Sequence, residues 1–237
     1  MKRVAQTCVA IVIWCVTILH LTFWAAVILS LGRLVSTQRL TPVMHFAARA
    51  MLRTAGVRVR VLGLENLPRG GAMVLMSNHV NMIDPFMVTA SFPLRIVALE
   101  RSDHFSWPIY GPLIRRWGNI PVHMDQPSMA RTTIRAAQKV LREGDSVMVY
   151  PEGTRTRTGQ LGPFRKGAFF IAQHAGADIV PFSVRGSYSL NRKNSLIIRP
   201  GTITIVISPP LPAAEWRRRP LDELMEATRV AIARHLD

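Results

Sequence analysis

The sequence predicts an α/β protein: a mixed, largely parallel sheet covered by helices, preceded by an N-terminal membrane-embedded helical segment. From Val57 onward, short apolar runs typical of strands alternate with helical stretches, as they do in sheets whose faces are covered by helices. Between Arg3 and Arg33 a long apolar run carries no charge, which is typical of a helix in lipid. We therefore expect membrane-associated helices over residues 1–56 and one α/β domain over residues 57–237.

The apolar run is long enough to anchor the chain. As a helix, residues 8–31 would cover the roughly 30 Å hydrocarbon core of a bilayer. The run exceeds the apolar part of a secretory signal, about 7 to 15 residues, and no small-x-small cleavage site follows it, so retention is expected. More basic residues follow the run than precede it, and the positive-inside rule then places the α/β domain on the cytoplasmic side of the membrane.

The remaining elements follow from periodicity and from turn residues. A second helix is predicted over residues 41–56, with Pro42 at its first position and Gly56 at its end. Its apolar stripe suits either a lipid interface or packing against the α/β domain. The predicted strands are 57–62, 72–77, 96–99, 120–122, 147–150, 179–184 and 203–207. The predicted further helices are 85–91, 107–117, 128–142, 165–175 and 221–235.

The charge balance indicates a polyanionic partner. Thirty Lys and Arg against 14 Asp and Glu give a formal charge of +16, which attracts nucleic acids or anionic lipid surfaces. No zinc finger, RNP-type aromatic motif or leucine zipper accompanies the charge, so an anionic membrane surface is the expected partner and nucleic acid is not. Both cysteines, Cys8 and Cys15, lie in the apolar run. This placement indicates neither a disulfide framework nor a metal site, and it excludes a cysteine acyl-enzyme in the α/β domain.

The first candidate site follows the apolar run 72–77 and contains Asn78, His79 and Asp84. On an uninterrupted helix, residues five apart point about 140° away from each other, so His79 and Asp84 meet only if the chain turns between them. Asp84-Pro85 is a good start for a helix and would leave such a turn before it. The carboxylate would then fix one imidazole tautomer and leave the other nitrogen basic. The spacing supports equally well an Asp84 that only caps the helix.

The second candidate site follows the run 147–150 and reads Pro151-Glu152-Gly153-Thr154-Arg155. The guanidinium of Arg155 offers a planar fork of donors suited to a phosphate, and a glycine lets backbone approach a ligand closely. Glu152 could hold Arg155 in place or bind a substrate hydroxyl. Taken alone, the segment is better interpreted as a surface turn that carries a solvated ion pair.

Together the two sites resemble conserved blocks of the glycerolipid acyltransferase family, which includes 1-acylglycerol-3-phosphate acyltransferases. The segment from Asn78 to Asp84 resembles the first block and Pro151 to Arg155 the third. Two further segments are similar to later blocks of the family, namely Phe164-Arg165-Lys166-Gly167 and Ile179-Val180-Pro181-Phe182. The resemblance covers roughly residues 57–211.

The resemblance implies direct acyl transfer onto a lysophospholipid. His79, oriented by Asp84, would take the proton of the acceptor hydroxyl as it attacks the thioester of acyl-CoA or acyl carrier protein. No metal and no bound cofactor are implied. The substrate-binding residues implied are Asn78, Glu152, Gly153, Thr154 and Arg155 on the acceptor side, with Val180 and Pro181 lining an acyl or acceptor pocket.

One block departs from the family pattern. Met124 stands where the family usually has an arginine thought to contact the acceptor phosphate. The acceptor is therefore either 1-acylglycerol-3-phosphate or another lysolipid, such as a lyso-ornithine lipid. The cations that could substitute for the missing one are Arg101, Arg115, Arg116 and Arg131.

The charge and the apolar run also allow a function of a different class from acyl transfer. The chain would then be a basic, membrane-attached scaffold that binds polyanions, with both candidate sites purely structural. The remaining histidines of the α/β domain, His104, His123 and His174, have no acidic partner at a telling spacing and are not predicted to be catalytic.

Overall fold

The structure, a computed structural model, describes residues 2–236, except for the side chains of residues 2–8 and 127. The interpretation of Cys8 therefore lies outside the described side chains. Seven strands form one sheet in the order β1-β7-β6-β2-β5-β3-β4. Their bounds are β1 Val57–Leu62, β2 Met73–Ser77, β3 Ile96–Arg101, β4 Ile120–Val122, β5 Ser146–Val149, β6 Asp178–Arg185 and β7 Gly201–Ile207.

Nine α-helices accompany the sheet within the described residues. They are α1 Lys2–Leu31, α2 Thr41–Thr54, α3 Asp84–Ser91, α4 Tyr110–Trp117, α5 Ala130–Arg142, α6 Lys166–Ala175, α7 Ser187–Leu190, α8 Ala213–Trp216 and α9 Leu221–Ala233. The predicted helix over 107–117 begins later, at Tyr110, because Ser102–Ser106 forms a 3₁₀ turn that leads into it. The four-residue helices α7 and α8 are not predicted.

The sheet is mixed and largely parallel, as predicted. Only β6 and β7 pair in antiparallel fashion, and the other neighbouring pairs are parallel. The strands β6, β2, β5, β3 and β4 all run in the same direction, so their carboxyl ends lie along one edge of the sheet. Ligand sites of open α/β sheets form at this edge.

The core explains why the central strands are apolar throughout. Every residue of β2 and β5 is buried, as expected for parallel strands covered on both faces. Leu75 and Met148 pack with α2 and α3 on one face. Val74 and Val147 pack with α5, α6 and α9 on the other.

Among the residues that the structure describes, one helix is long and apolar enough to cross a membrane. Residues Val9–Leu31 of α1 have a mean hydropathy of 2.3, and only 11% of the most apolar window is buried. The buried face, with Ala25 and Ile28, packs near Leu40 and Leu113. In α2, Ala48 and Leu52 join the main core. Of the apolar stripe itself, Ala47 and Met51 are buried, whereas Phe46 is 58% exposed. Packing therefore accounts for part of that stripe.

Candidate active site

His79 and Asp84 are in direct contact. The chain leaves β2 at Ser77 and turns before α3, and His79 Nδ1 lies 2.8 Å from Asp84 Oδ2. The same oxygen accepts hydrogen bonds from the backbone amides of Val80, at 2.8 Å, and Asn81, at 3.0 Å. The Asp84 side chain is 0% exposed and that of His79 is 20% exposed. With Nδ1 engaged, Nε2 is the nitrogen available to a ligand.

Asp84 does more than begin a helix. α3 starts at Asp84 itself, one residue before the predicted start, with Ile83 in the capping position and no side-chain capping hydrogen bond. The carboxylate points back into the turn and binds the imidazole and two amides. The alternative in which Asp84 only caps α3 is therefore wrong.

The two asparagines of this turn hold it against β6 and α7. Asn78 donates to the carbonyl of Val184 at 3.0 Å and accepts from its amide at 2.8 Å. Asn81 donates to the carbonyl of Ser187 at 3.1 Å. Asn78 is buried and does not line the cavity described below, so it supports the turn and is not placed to bind substrate as expected.

Glu152 joins the two candidate sites. Its carboxylate accepts hydrogen bonds from the amide of His79 at 2.8 Å and from the amide of Gly162 at 2.7 Å. Burial raises the pKa of Glu152, and the two amides oppose that shift. No ion pair joins Glu152 to Arg155 among the described residues, so the idea that Glu152 holds Arg155 is wrong. Its contacts fix the turn that carries His79.

Tyr150 supports the imidazole from one side. The rings of His79 and Tyr150 stack with centroids 3.9 Å apart and planes 12° apart. Burial raises the pKa of the Tyr150 phenol well above its ordinary value of 10.0, so the group is neutral. The hydroxyl is buried and has no hydrogen-bond partner among the described residues. Sequence reasoning placed this residue only at the end of a strand.

A cationic rim lies beside the dyad. Arg155, Arg157 and Lys193 all line the same cavity as His79. Thr154 in this loop accepts a hydrogen bond from Lys193 Nζ at 2.7 Å. The backbone of Gly153 has φ +69°, and a Cβ there would come within 2.8 Å of Arg165 Nε. The positive φ favours a glycine here, whereas the flexible Arg165 side chain could move away from a Cβ. The glycine lets the loop turn toward the cavity.

A second histidine–carboxylate pair lines the cavity. His104 Nδ1 lies 2.5 Å from Glu100 Oε1, and the hydroxyl of Tyr110 donates to Glu100 Oε2 at 3.2 Å. The expectation that His104 lacks an acidic partner is therefore wrong. The pair forms because the chain turns sharply from β3 into the 3₁₀ turn Ser102–Ser106. A spacing of four residues outside a regular helix does not predict this bend.

The cavity has a volume of about 1450 Å³ and extends from the dyad to the N-terminal helices. Part of its apolar wall comes from α1 and α2, with Trp14, Leu21, Trp24, Ile28 and Met51. Val180 and Pro181 do not line it. They are buried in the central strand β6, so the expectation that they form the pocket is wrong.

Of the four arginines proposed to replace the missing cation, only Arg101 lines the cavity. Arg101 lines the cavity, as does Met124, but Arg101 is paired with Asp103 through two hydrogen bonds of 2.9 and 3.1 Å. Arg115 donates to the carbonyl of Phe105, and Arg116 to the carbonyls of Gly32 and Val35. Neither they nor Arg131 line the cavity. Within the described residues, the cavity-lining cations that form no ion pair are instead Arg155, Arg157, Arg165 and Lys193.

Comparison with known proteins identifies the family. The profile of the family described as Acyltransferase matches residues 58–185, more than half of the chain. The chain belongs to the acyltransferase family. The resemblance that the two motifs predict is thereby confirmed, and the matched region contains both candidate sites.

Individual relatives agree with this family. A 1-acyl-sn-glycerol-3-phosphate acyltransferase of Cocos nucifera is 28% identical over 193 residues, which cover 81% of this chain and 62% of that protein. One from Pseudomonas aeruginosa is 31% identical over 172 residues, covering 72% of this chain and 65% of that protein. This chain thus spans a little under two thirds of the length of these two relatives.

A solved structure shows the same fold as this acyltransferase-family chain. The crystal structure of the 1-acyl-sn-glycerophosphate (LPA) acyltransferase from Thermotoga maritima superimposes with a TM-score of 0.86 at 19% identity, over 99% of this chain and 95% of that one. The match includes the N-terminal helices as well as the sheet, and it confirms the predicted fold class.

Proposed function

We propose that the protein transfers a fatty acyl group from a thioester to the free hydroxyl of a lysophospholipid, converting 1-acylglycerol-3-phosphate to phosphatidic acid. The observation that carries this proposal is the contact of His79 with Asp84, 2.8 Å apart, in a cavity with an apolar wall and a cationic rim. The relatives named as 1-acyl-sn-glycerol-3-phosphate acyltransferases support the choice of acceptor. Acyl-CoA and acyl carrier protein are both candidate donors.

The chemistry needs one base and no covalent enzyme intermediate. Nε2 of His79 takes the proton of the acceptor hydroxyl while the oxygen attacks the thioester carbonyl. The tetrahedral intermediate expels the thiolate, which receives the proton from the imidazolium. The buried carboxylate of Asp84 stabilises the imidazolium and keeps Nδ1 protonated. The products are the ester and the free thiol, and the base is regenerated.

The cavity suits amphiphilic substrates. Acyl chains would lie along the wall formed by α1 and α2, while the phosphate of the acceptor would lie at the rim that contains Arg155. Guanidinium groups bind phosphate oxygens through two parallel hydrogen bonds. In this arrangement the reacting hydroxyl lies between an apolar and a cationic region, next to His79.

We further propose that α1 holds the protein in a membrane whose anionic surface attracts the basic domain, with the active site on the cytoplasmic side. The length and hydropathy of Val9–Leu31 support the first part. The excess of basic residues after the run supports the second.

The test uses purified protein with a panel of lysolipids and both thioester donors. We expect release of free thiol with 1-acylglycerol-3-phosphate, and a loss of at least about 1000-fold in His79→Ala, with membrane association retained. A scaffold that binds polyanions would consume no acyl donor. Turnover with a lyso-ornithine lipid alone would replace the acceptor and keep the chemistry. Near wild-type turnover in His79→Ala would sink the proposal.

A further inference from the structure

Lys193 reaches the site from the loop that follows α7. The chain leaves β6, forms α7 and then presents Lys193, whose Nζ donates to Thr154 Oγ1 at 2.7 Å and to the carbonyl of Arg155 at 3.3 Å. The ammonium of Lys193 therefore lies against the loop that carries Arg155. It also lines the cavity that contains His79.

The position of this lysine is fixed by the surrounding backbone contacts. The side chain of Asn191 donates to the carbonyls of Ser195, at 2.9 Å, and Ile197, at 3.1 Å, which closes the loop around Lys193. The hydroxyl of Tyr188 donates to the carbonyl of Arg157 at 2.8 Å and ties the two loops together. A binding group held in this way loses little conformational freedom when a ligand arrives.

Positive charge at this point is not balanced by the protein. Burial lowers the pKa of Lys193, and the nearby charges of Arg157, Arg155 and Arg101 lower it further. Arg101 has a carboxylate partner in Asp103. The guanidinium groups of Arg155 and Arg157 form no ion pair and donate no hydrogen bond to any residue that the structure describes. Three cations without a counterion are an arrangement that a bound anion would stabilise.

We infer that Lys193 is a phosphate-binding residue that acts with Arg155 and Arg157 to hold the phosphate monoester of the lysolipid acceptor. This inference rests on the proposed function and extends it to a residue outside the two sequence motifs. The ammonium of Lys193 carries a compact positive charge and three N–H donors, two of which contact the protein. The guanidinium groups of Arg155 and Arg157 offer planar pairs of donors.

The phosphate of the acceptor fits this position better than a phosphate of the donor. The amide of Thr156, in the same loop, donates to the carbonyl of His79 at 2.8 Å, so the cations lie close to the base. In a 1-acylglycerol-3-phosphate, the reacting hydroxyl and the phosphate are on adjacent carbon atoms. In a thioester donor, the whole pantetheine arm separates the phosphate from the reacting carbonyl.

The experiment compares Lys193→Ala and Lys193→Gln with Arg192→Ala in the full-length protein. Arg192 is a matched control, because its guanidinium lies over the Tyr188 ring, 5.2 Å from the centroid, and outside the cavity. Steady-state rates are measured in mixed micelles with 1-acylglycerol-3-phosphate varied in one arm and the acyl thioester varied in the other. Thermal midpoints in detergent check that each variant is folded.

We expect both Lys193 variants to raise the KM for the acceptor about 10-fold or more, the scale of one charged hydrogen-bonding contact. The KM for the donor should stay within about 2-fold, and Lys193→Arg should restore most of the loss. Arg192→Ala should match the wild type within about 2-fold, since its charge is outside the cavity.

Three results would overturn the inference. An increase in the donor KM alone would assign the cations to the phosphate of the donor. An effect on kcat with both KM values unchanged would show that Lys193 only shapes the loop. Equal effects of Lys193→Ala and Arg192→Ala would show a general effect of charge. The proposed function fails separately, if the wild-type protein acylates no lysolipid at all.

Discussion

The imidazole of His79 is held from three sides. Asp84 binds Nδ1, Tyr150 stacks under the ring, and Glu152 accepts a hydrogen bond from the backbone amide. A base fixed in this way keeps one orientation and one tautomer before substrate arrives. Each support makes a different physical contribution, so single substitutions can separate them.

Asp84→Asn tests the charge of the dyad. An amide oxygen in the place of Oδ2 can still accept from Nδ1 and from the amides of Val80 and Asn81, so the turn should persist. The imidazolium loses its counter-charge, and we expect kcat to fall about 100-fold or more with the thermal midpoint shifted by only a few degrees. The measurement is thiol release under saturating substrates.

Ser187→Ala is the matched control for Asp84→Asn. The Ser187 hydroxyl donates to the other oxygen of Asp84 at a long 3.4 Å and accepts from Asn81 at 2.5 Å. Asn81 keeps its hydrogen bond to the Ser187 carbonyl when the hydroxyl is removed, so the substitution should cost less than about 10-fold in kcat. A folded Asp84→Asn variant within 3-fold of wild-type turnover would show that the carboxylate charge is not used.

Tyr150→Phe separates the ring from its hydroxyl. The hydroxyl is buried and has no partner among the described residues, so its removal should raise the free energy of unfolding by about 1 kcal/mol. The stacking on His79 is kept, and kcat should stay within about 2-fold. Chemical denaturation in detergent gives the first quantity and thiol release the second.

Tyr150→Leu is the contrasting variant. It removes the aromatic face on which the imidazole stacks, a contact of about 0.5–1.5 kcal/mol, and should lower both stability and kcat. If Tyr150→Phe is the more damaging of the two, the hydroxyl serves the substrate and the role of the ring is wrong.

Sequence reasoning found the dyad, Glu152 and Arg155, but not Tyr150 or Lys193. His79 and Asp84 lie within one short segment, where the turn before Pro85 can be predicted from residue types. Tyr150 and Lys193 meet the site only because separate strands end at the same edge of the sheet. Contacts over such sequence separations depend on strand order, which local patterns do not contain.

At the scale of elements, the two loops after β2 and β5 behave as one unit. The strands are neighbours with Met76 opposite Val149, and Glu152 and Thr156 both bind the backbone of His79. The loop after β5 therefore positions a residue that it does not contain.

Glu152→Gln tests this coupling between loops. One of the two amides that the carboxylate binds, from His79 or Gly162, must face the NH₂ group of the glutamine and lose its acceptor. We expect kcat to fall about 10- to 100-fold through a small displacement of His79, and trypsin to cleave faster after Arg155 and Arg157. Stability should change less than kcat, because the neutral amide also removes the buried charge whose desolvation raises the pKa of Glu152.

Asp125→Asn serves as the control for Glu152→Gln. Asp125 is an exposed carboxylate in the cavity wall and accepts no hydrogen bond from a backbone amide of the described residues. Equal tryptic cleavage rates for Glu152→Gln and the wild type would contradict the coupling.

The sequence predicts the strands and the long helices well and the four-residue helices poorly. All seven strands were predicted, with bounds within two residues, because apolar runs bounded by glycine, proline and polar residues are strong local signals. The helices α7 and α8 have four residues each, too few for a periodic pattern. Val180 and Pro181 were misplaced because a family motif in a central strand can be required for packing alone.

At the scale of the whole molecule, α1 is both the proposed membrane anchor and part of the cavity wall. Leu19 and Phe23 are 69% and 58% exposed on its outer face, whereas Trp14 and Trp24 face the cavity. The outer face can therefore be changed without altering the cavity.

The double variant Leu19→Lys, Phe23→Lys tests the anchor. A lysine at the centre of a membrane helix costs about 2.5–3.5 kcal/mol, and we expect the protein to leave the membrane pellet after ultracentrifugation at high salt. High salt is needed because the charge of +16 also attracts anionic headgroups until it is screened. Ser30→Lys, at the exposed end of α1, should remain in the pellet, and an unchanged distribution of the double variant would show that α1 does not hold the protein there.

Because α1 is both the proposed anchor and part of the cavity wall, the concentration of acceptor that matters under this proposal is its concentration in the membrane. With α1 in a bilayer, a lipid acceptor can arrive by lateral diffusion and keep its chain in hydrocarbon throughout. The encounter is then two-dimensional, and turnover follows the mole fraction of acceptor in the lipid phase. Inert lipid added at constant total acceptor would slow the enzyme by surface dilution, while the aqueous volume would matter only for the thioester.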